Sequence, residues 1–192
     1  VIDLSLNEAE TLAAKAARGA GFSWGLADEI GRAARGMAMR RQAWGEALLA
    51  LARSADALAP PDVARIARWR RGERDIAGTR PLCPVRTAAL LLDDAPSFAG
   101  KLRIAHVGLP IWLDAMLSRS AVWTADVGEP LATGDVIVRR GASAARPAGA
   151  RRAAVAPQTL AALNGYAART YVPESERSRA RGAGGGRVDD DQ

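Results

Sequence analysis

Ala121-Val122-Trp123-Thr124-Ala125-Asp126-Val127, then a loop from Gly128 to Gly134, then Asp135-Val136-Ile137-Val138-Arg139-Arg140, is the stretch that decides the fold class. Its two ends are rich in β-branched and aromatic residues, and Gly128-Glu129-Pro130 and Gly134 punctuate the middle. It therefore reads as two strands joined by a loop. Outward from it, Leu102–Val107 is β-like and Arg151–Ala156 is a further strand candidate. Pro84–Leu92 also reads as a strand, although Thr87–Leu92 could be helical. Between these, Gly108-Leu109-Pro110 opens a short helix to about Leu117 that is apolar on nearly every side except Asp114, so burial is expected.

The N-terminal third has a different texture. Ser5-Leu6-Asn7-Glu8 is a capping box, with Ser at the N-cap and Glu three positions later. Leu6, Ala9, Leu12, Ala13, Ala16 and Ala20 then follow helical spacing, and Gly19 or Gly21 is a natural stop. Ser23 can cap a second helix with Leu26, Ile30, Ala33 and Met37 on its apolar stripe. A third helix is expected from about Trp44 to Ala57, and a short one over Val63–Arg71 after Pro60-Pro61. At the other end, Pro157 suits the first helical position, and Leu160, Leu163, Ala167 and Tyr171 share one side of a last helix, Pro157–Tyr171.

Helices first, strands later and no regular βαβ alternation define an α+β protein. The expected architecture is an N-terminal helical layer packed on a mixed or antiparallel sheet, followed by a C-terminal helix and an extended Gly-rich tail. One domain over residues 1–173 is expected: helical over 1–58, strand-rich over 82–156, and closed by the helix 157–171. Residues 174–192 form the polar tail. A chain of 192 residues, 48% hydrophobic with a mean hydropathy of −0.08, is long enough to bury a real core without disulfides or metal.

The charge balance excludes less than it first suggests. There are 27 Lys+Arg against 21 Asp+Glu, and all the bases except Lys15 and Lys101 are Arg. Together with abundant Ala and Gly, that composition follows from GC-rich codons, so the high pI is weak evidence for nucleic acid. The excess is local: residues 59–80 carry six Arg against three acids, and residues 131–156 carry five Arg against Asp135 alone. These are solvated surface arginines or small polyanion sites, not a continuous basic face. Arg65, Arg68 and Arg71 with Trp69 could meet phosphates and stack a base, but the same residues suit an amphipathic helix with Arg outside. The pattern argues against sequence-specific nucleic-acid recognition.

The chemistry is bounded by what is scarce. One Cys excludes an internal disulfide, and one His excludes a multi-His metal site. Asp93-Asp94 and Asp189-Asp190-Asp191 lack ligand spacing, so no metal site is expected and no cofactor is indicated. Cys83 needs a nearby base or positive field to act as a nucleophile. His106 is the only imidazole, and nothing in the spacing puts the two together, so an inert buried Cys and a structural His are expected. The start of the chain has no basic or apolar leader, no apolar run approaches the roughly 18 residues of a membrane span, and a lone Cys suits a reducing compartment. The expected location is cytoplasmic, with no membrane partner.

Gly19-Ala20-Gly21-Phe22-Ser23-Trp24-Gly25 is not a dinucleotide loop, because a helix rather than a strand precedes it and the third Gly is one residue late. It is a helix–loop–helix corner where free N–H groups, with Arg18 as charge partner, could hold an anion. The tail, from Arg169-Thr170-Tyr171-Val172-Pro173 through Arg179 to Gly186, mixes donors, charges and Gly, and beyond Pro173 it offers little apolar surface.

Ser5-Leu6-Asn7-Glu8, Ala16-Ala17-Arg18-Gly19-Ala20-Gly21, Ser23-Trp24-Gly25-Leu26-Ala27 and Glu29 resemble the opening of the bacterial domain-of-unknown-function family 3726. Leu82-Cys83-Pro84-Val85-Arg86 resembles its middle, and Arg169–Pro173, Ser175-Glu176, Ser178-Arg179, Gly182-Ala183-Gly184 and Gly186 its ending. That ending usually reads Asp-Asn-Asp where this chain has Asp189-Asp190-Asp191. The resemblance implies no established activity, but it draws attention to the tail.

The expected function is binding of a small polar or anionic metabolite, as a small enzyme or as an accessory subunit of one. Arg18, Arg86 and Arg179 would hold the anion. Ser23, Trp24, Thr170, Tyr171 and Ser178 would orient it, and Glu29 or Glu176 would be the acid/base group. An interaction module whose C-terminal tail docks on a protein partner is the alternative, and an Arg-driven non-specific nucleic-acid binder is the third reading.

Overall fold

In the computed structural model, the described residues are 1–61, 68, 71, 79–93, 101–120, 123–141 and 149–171. Among them the chain runs β1 (Ile2–Ser5), α1 (Leu6–Gly19), α2 (Trp24–Met39), α3 (Trp44–Ser54), α4 (Pro84–Asp93), β2 (Lys101–Val107), α5 (Ile111–Leu117), β3 (Trp123–Val127), β4 (Gly134–Arg140), β5 (Arg152–Val155) and α6 (Pro157–Ala168). The protein is α+β, with an N-terminal helical layer and a C-terminal helix. The expected short helix over Val63–Arg71 and the tail 174–192 lie outside the described residues, apart from Arg68 and Arg71.

The local signals work at the ends of α1 and α6. The Ser5 hydroxyl accepts the Glu8 amide at 3.1 Å, and the Glu8 carboxylate accepts the Ser5 amide at 2.6 Å, closing the capping box reciprocally. Those bonds to the charged form hold the Glu8 carboxyl below the usual glutamate range. Pro157 opens α6, where its missing N–H is no loss. Ser23 does sit at the N-cap of α2, but its side chain makes no cap hydrogen bond.

The strands form two small antiparallel sheets. β2, β4 and β3 lie side by side in that order, with β4 central. A register shift between Ile104 and Val107 bulges β2, and His106 there takes a left-handed φ of 58°. The second sheet pairs β1 with β5, Ile2 opposite Val155 and Ser5 opposite Arg152. The sequence reading held no strand at Ile2–Ser5. Four residues carry too little pattern to show one, and its partner lies about 150 positions away.

The expected strand at Pro84–Leu92 is a helix, α4. Pro84 is again well placed at its start. Pro84, Thr87, Ala88 and Leu91 bury one face at helical spacing, and the Ala-Ala-Leu-Leu-Leu run has strong helix propensity. Leu82, just before it, bridges Ala59 and Val107 in parallel, so this segment ties the end of the helical layer to β2. The third helix ends at Ser54 and the last at Ala168, a few residues short of the expected limits.

A single cluster of buried side chains runs through both parts. Three fully buried indoles anchor it: Trp44, Trp112 and Trp123. The indole N–H of Trp44 donates to Ala154 O at 2.9 Å, fastening α3 to β5, and that of Trp112 donates to Ala47 O at 3.1 Å, fastening α5 to α3. Elsewhere the helices meet through small residues. Ala9, Ala13, Ala16 and Ala17 of α1 and Ala27, Gly31 and Ala34 of α2 are buried where the helices pack, and a Cβ on Gly31 would stand 2.8 Å from Glu10 O and 3.1 Å from the Ala14 Cβ. Helices this close leave their long polar side chains to form walls above the seam.

Candidate functional site

One wall is read directly from α1. Asn7, Glu10, Thr11, Lys15 and Arg18 recur at three- and four-residue intervals and so stand on one face of the helix. The opposite wall comes from α2, where Trp24, Asp28 and Arg32 are spaced four apart. Ala14 and Ala27 are the small apolar residues of the lining. Thr170 and Tyr171, just beyond α6, close the third side. The cavity between them measures about 740 Å³.

α6 brings its end to this place by packing against α1. At Gly19 the approach is so tight that a Cβ would lie 1.9 Å from the Tyr166 carbonyl oxygen. The chain leaves α6 through Arg169, Thr170 and Tyr171, whose amides bond back to Tyr166, Ala167 and Ala168. The Thr170 hydroxyl donates to Ala167 O at 2.7 Å, fixing that last turn.

Two cations of α1 lie over the two aromatic walls. The Arg18 guanidinium sits 4.8 Å from the centre of the Trp24 ring while donating to Phe22 O at 2.8 Å. Lys15 Nζ lies 5.8 Å from the centre of the Tyr171 ring. Both rings are open to solvent, Trp24 by 68% and Tyr171 by 63%, which is unusual for such large apolar surfaces on a chain that buries its other described indoles. The wall carries Lys15, Arg18 and Arg32 against Glu10 and Asp28, a slight positive excess. Arg35, at the Asn7 end, bonds to the Asn7 side chain and to Glu10 at 3.2 Å, which further offsets the acid there.

Of the residues expected from sequence, Arg18, Trp24, Thr170 and Tyr171 therefore line one cavity. Ser23 and Arg86 do not line it; both are exposed, and Arg86 stands on α4. Glu29 does not line it either. Its carboxylate is held between Arg32 and Arg119, each at 2.6 Å, so it ties α2 to the turn after α5 instead of facing the cavity. Glu176, Ser178 and Arg179 lie outside the described residues. Asn7, Glu10, Thr11, Lys15, Asp28 and Arg32 were missed. The signal was present as a second, polar periodicity on α1 and α2, hidden because the apolar stripe was the one followed.

Cys83 is 2% exposed, and burial pushes its thiol up from the ordinary value, outweighing bonds from the Arg86 and Val85 amides. His106 is nearer than sequence spacing suggested, since its carbonyl accepts the Leu82 amide at 2.8 Å. The thiol is nonetheless protonated at neutral pH, which is the wrong form for a nucleophile.

No described helix is long and apolar enough to cross a membrane. No curated protein and no solved structure matches the chain. Residues 4–78, the segment that supplies both helical walls of the cavity but not Thr170 or Tyr171, match the family model described as Protein of unknown function (DUF3726), and this match supports assigning that segment to the family.

Proposed function

We propose that the cavity between α1, α2 and the end of α6 binds a small polar or anionic metabolite. The observation that carries this reading is the convergence of Arg18, Trp24, Thr170 and Tyr171 on one cavity of about 740 Å³, although 146 positions separate Trp24 from Thr170. That volume is within the range of small-ligand sites, and two aromatic faces with a few placed polar groups are what such sites use. Lys15 and Arg18 supply charge for an anion, Arg32 being paired with Glu29 at 2.6 Å, and the Trp24 and Tyr171 rings supply flat contact area that is already oriented by the cations above them.

Binding is what these residues support, as a binding protein or as a subunit accessory to an enzyme. The carboxylates on the wall are Glu10 and Asp28, and Glu10 is already engaged by Arg35. Asp28 is then the group in the cavity for a proton transfer, in place of Glu29. The exposure of Trp24 and Tyr171 favours a second reading, in which a protein partner covers the two rings.

The test is a thermal-shift screen of the full chain against mono-, di- and tricarboxylates and phosphate esters, repeated with Trp24→Ala and Tyr171→Ala. Both substitutions remove exposed side chains, so the free proteins should melt with wild type. A compound that stabilises wild type and loses that effect in both variants supports the metabolite site. Compounds that stabilise all three proteins equally place binding elsewhere, and capture of a partner by wild type but by neither variant favours the second reading.

A further inference from the structure

A second cavity, of about 420 Å³, lies where the end of α2 meets β5 and the start of α3. Its charged lining consists of Arg41, Arg151 and Arg152, with Gln42 beside them and no acidic residue. Trp44 forms part of the wall, but its indole N–H is already committed to Ala154 O. Arg151 and Arg152, two of the five Arg counted over residues 131–156, thus stand at this cavity together with Arg41.

Arg41, Arg151 and Arg152 are all exposed and bring three like charges to one hollow, a field that favours an anion shared among them. Arg152 is partly engaged, donating to Asp3 O at 2.7 Å and lying in the field of Glu8. Among the described residues no hydrogen bond or ion pair involves the side chains of Arg41 and Arg151. The Met39 carbonyl at the close of α2 is taken by the Ala150 amide at 2.8 Å, and no side chain caps the N-terminus of α3.

Arg41 is also in an unfavourable place for a structural residue. It is the first residue past the α2 C-cap, with its amide donating to Ala38 O at 2.9 Å and the next amide, of Gln42, donating to Met37 O at 3.0 Å. This is the Schellman arrangement, whose left-handed position is normally Gly, and Arg41 holds it at φ 57°. The backbone would be better served by Gly; what the Arg adds is a guanidinium at the cavity.

We infer that this cavity is an anion site, separate from the one proposed above, that takes a di- or polyphosphate group through Arg41, Arg151 and Arg152. A compact group with two or more negative charges matches three guanidinium forks, whereas a single carboxylate leaves most of that charge uncompensated.

The experiment is calorimetric titration of the full chain with inorganic pyrophosphate at constant ionic strength, alongside Arg41→Gly, Arg151→Gln and Arg18→Gln. Saturable binding to wild type is expected, weakened more than threefold in each of Arg41→Gly and Arg151→Gln and less than threefold in Arg18→Gln. Arg41→Gly should melt higher than wild type in the absence of pyrophosphate, so that its lost binding is not lost folding. Arg151 is exposed, so its variant gives the same reading independently of the α2 cap. Absence of saturable binding, or retention within threefold in either Arg41→Gly or Arg151→Gln, overturns the inference. A loss greater than threefold in Arg18→Gln assigns the anion to the other cavity and also overturns it.

Discussion

Gly19→Ala and Gly25→Ala make the same chemical change a few residues apart and should move stability in opposite directions. At Gly19 the new Cβ would stand 1.9 Å from Tyr166 O and 2.7 Å from Tyr166 C. Both are backbone atoms of α6, so no rotamer change relieves the clash, and α6 must retreat by roughly 1 Å from α1. Overpacking of this kind costs about 3 kcal/mol at the upper end of its usual range. Against it stands the better helix propensity of Ala, about 1 kcal/mol. The net loss is about 2 kcal/mol, or roughly 4–8 °C in Tm for a chain of this size. Gly25, in the first turn of α2, has nothing within 4 Å of a new Cβ, so Ala there should stabilise by about 0.4–1 kcal/mol through the unfolded chain. Calorimetric melting of both variants decides the matter. A Gly19→Ala protein as stable as wild type would refute the tight α1–α6 contact, and with it the account of how Tyr171 reaches the cavity.

Further outcomes follow from buried and capped groups. Cys83 should react with a maleimide far more slowly in the native protein than in urea, since its thiol is both covered and protonated; rapid native labelling would contradict its burial. Because Glu8 is held below its ordinary value, its cap contributes above the unfolded glutamate pKa of about 4.3 and is lost as pH falls through the lower folded value. The stability gap between wild type and Glu8→Gln should therefore be constant near neutrality and close on acidification below that range; urea melts across pH measure it. Trp112→Phe removes a buried donor at 3.1 Å from Ala47 O and leaves a void, and should cost about 2–3 kcal/mol in urea unfolding, whereas Trp24→Phe, at an exposed ring, should change stability by less than about 0.5 kcal/mol.

Local sequence determined what local energies control. The Ser5–Glu8 box sets the start of α1 within four residues, Pro157 sets the start of α6, and the β-rich runs on either side of Gly128–Gly134 became β3 and β4 because their residues suit a pleated, half-buried surface wherever they pair. Arg18 and Trp24 could be singled out because a short loop joins their helices. Pro84–Asp93 went the other way: a short apolar run satisfies both periods, and only packing against the core chose the helix. The pairing of β1 with β5, the clasp of Glu29 by Arg119 ninety positions on, and the arrival of Tyr171 opposite Trp24 depend on contacts between distant segments. No periodicity encodes such contacts. They form because apolar faces of α1, α2 and α6 must be buried together, and the polar residues left at the rim meet wherever that burial leaves them.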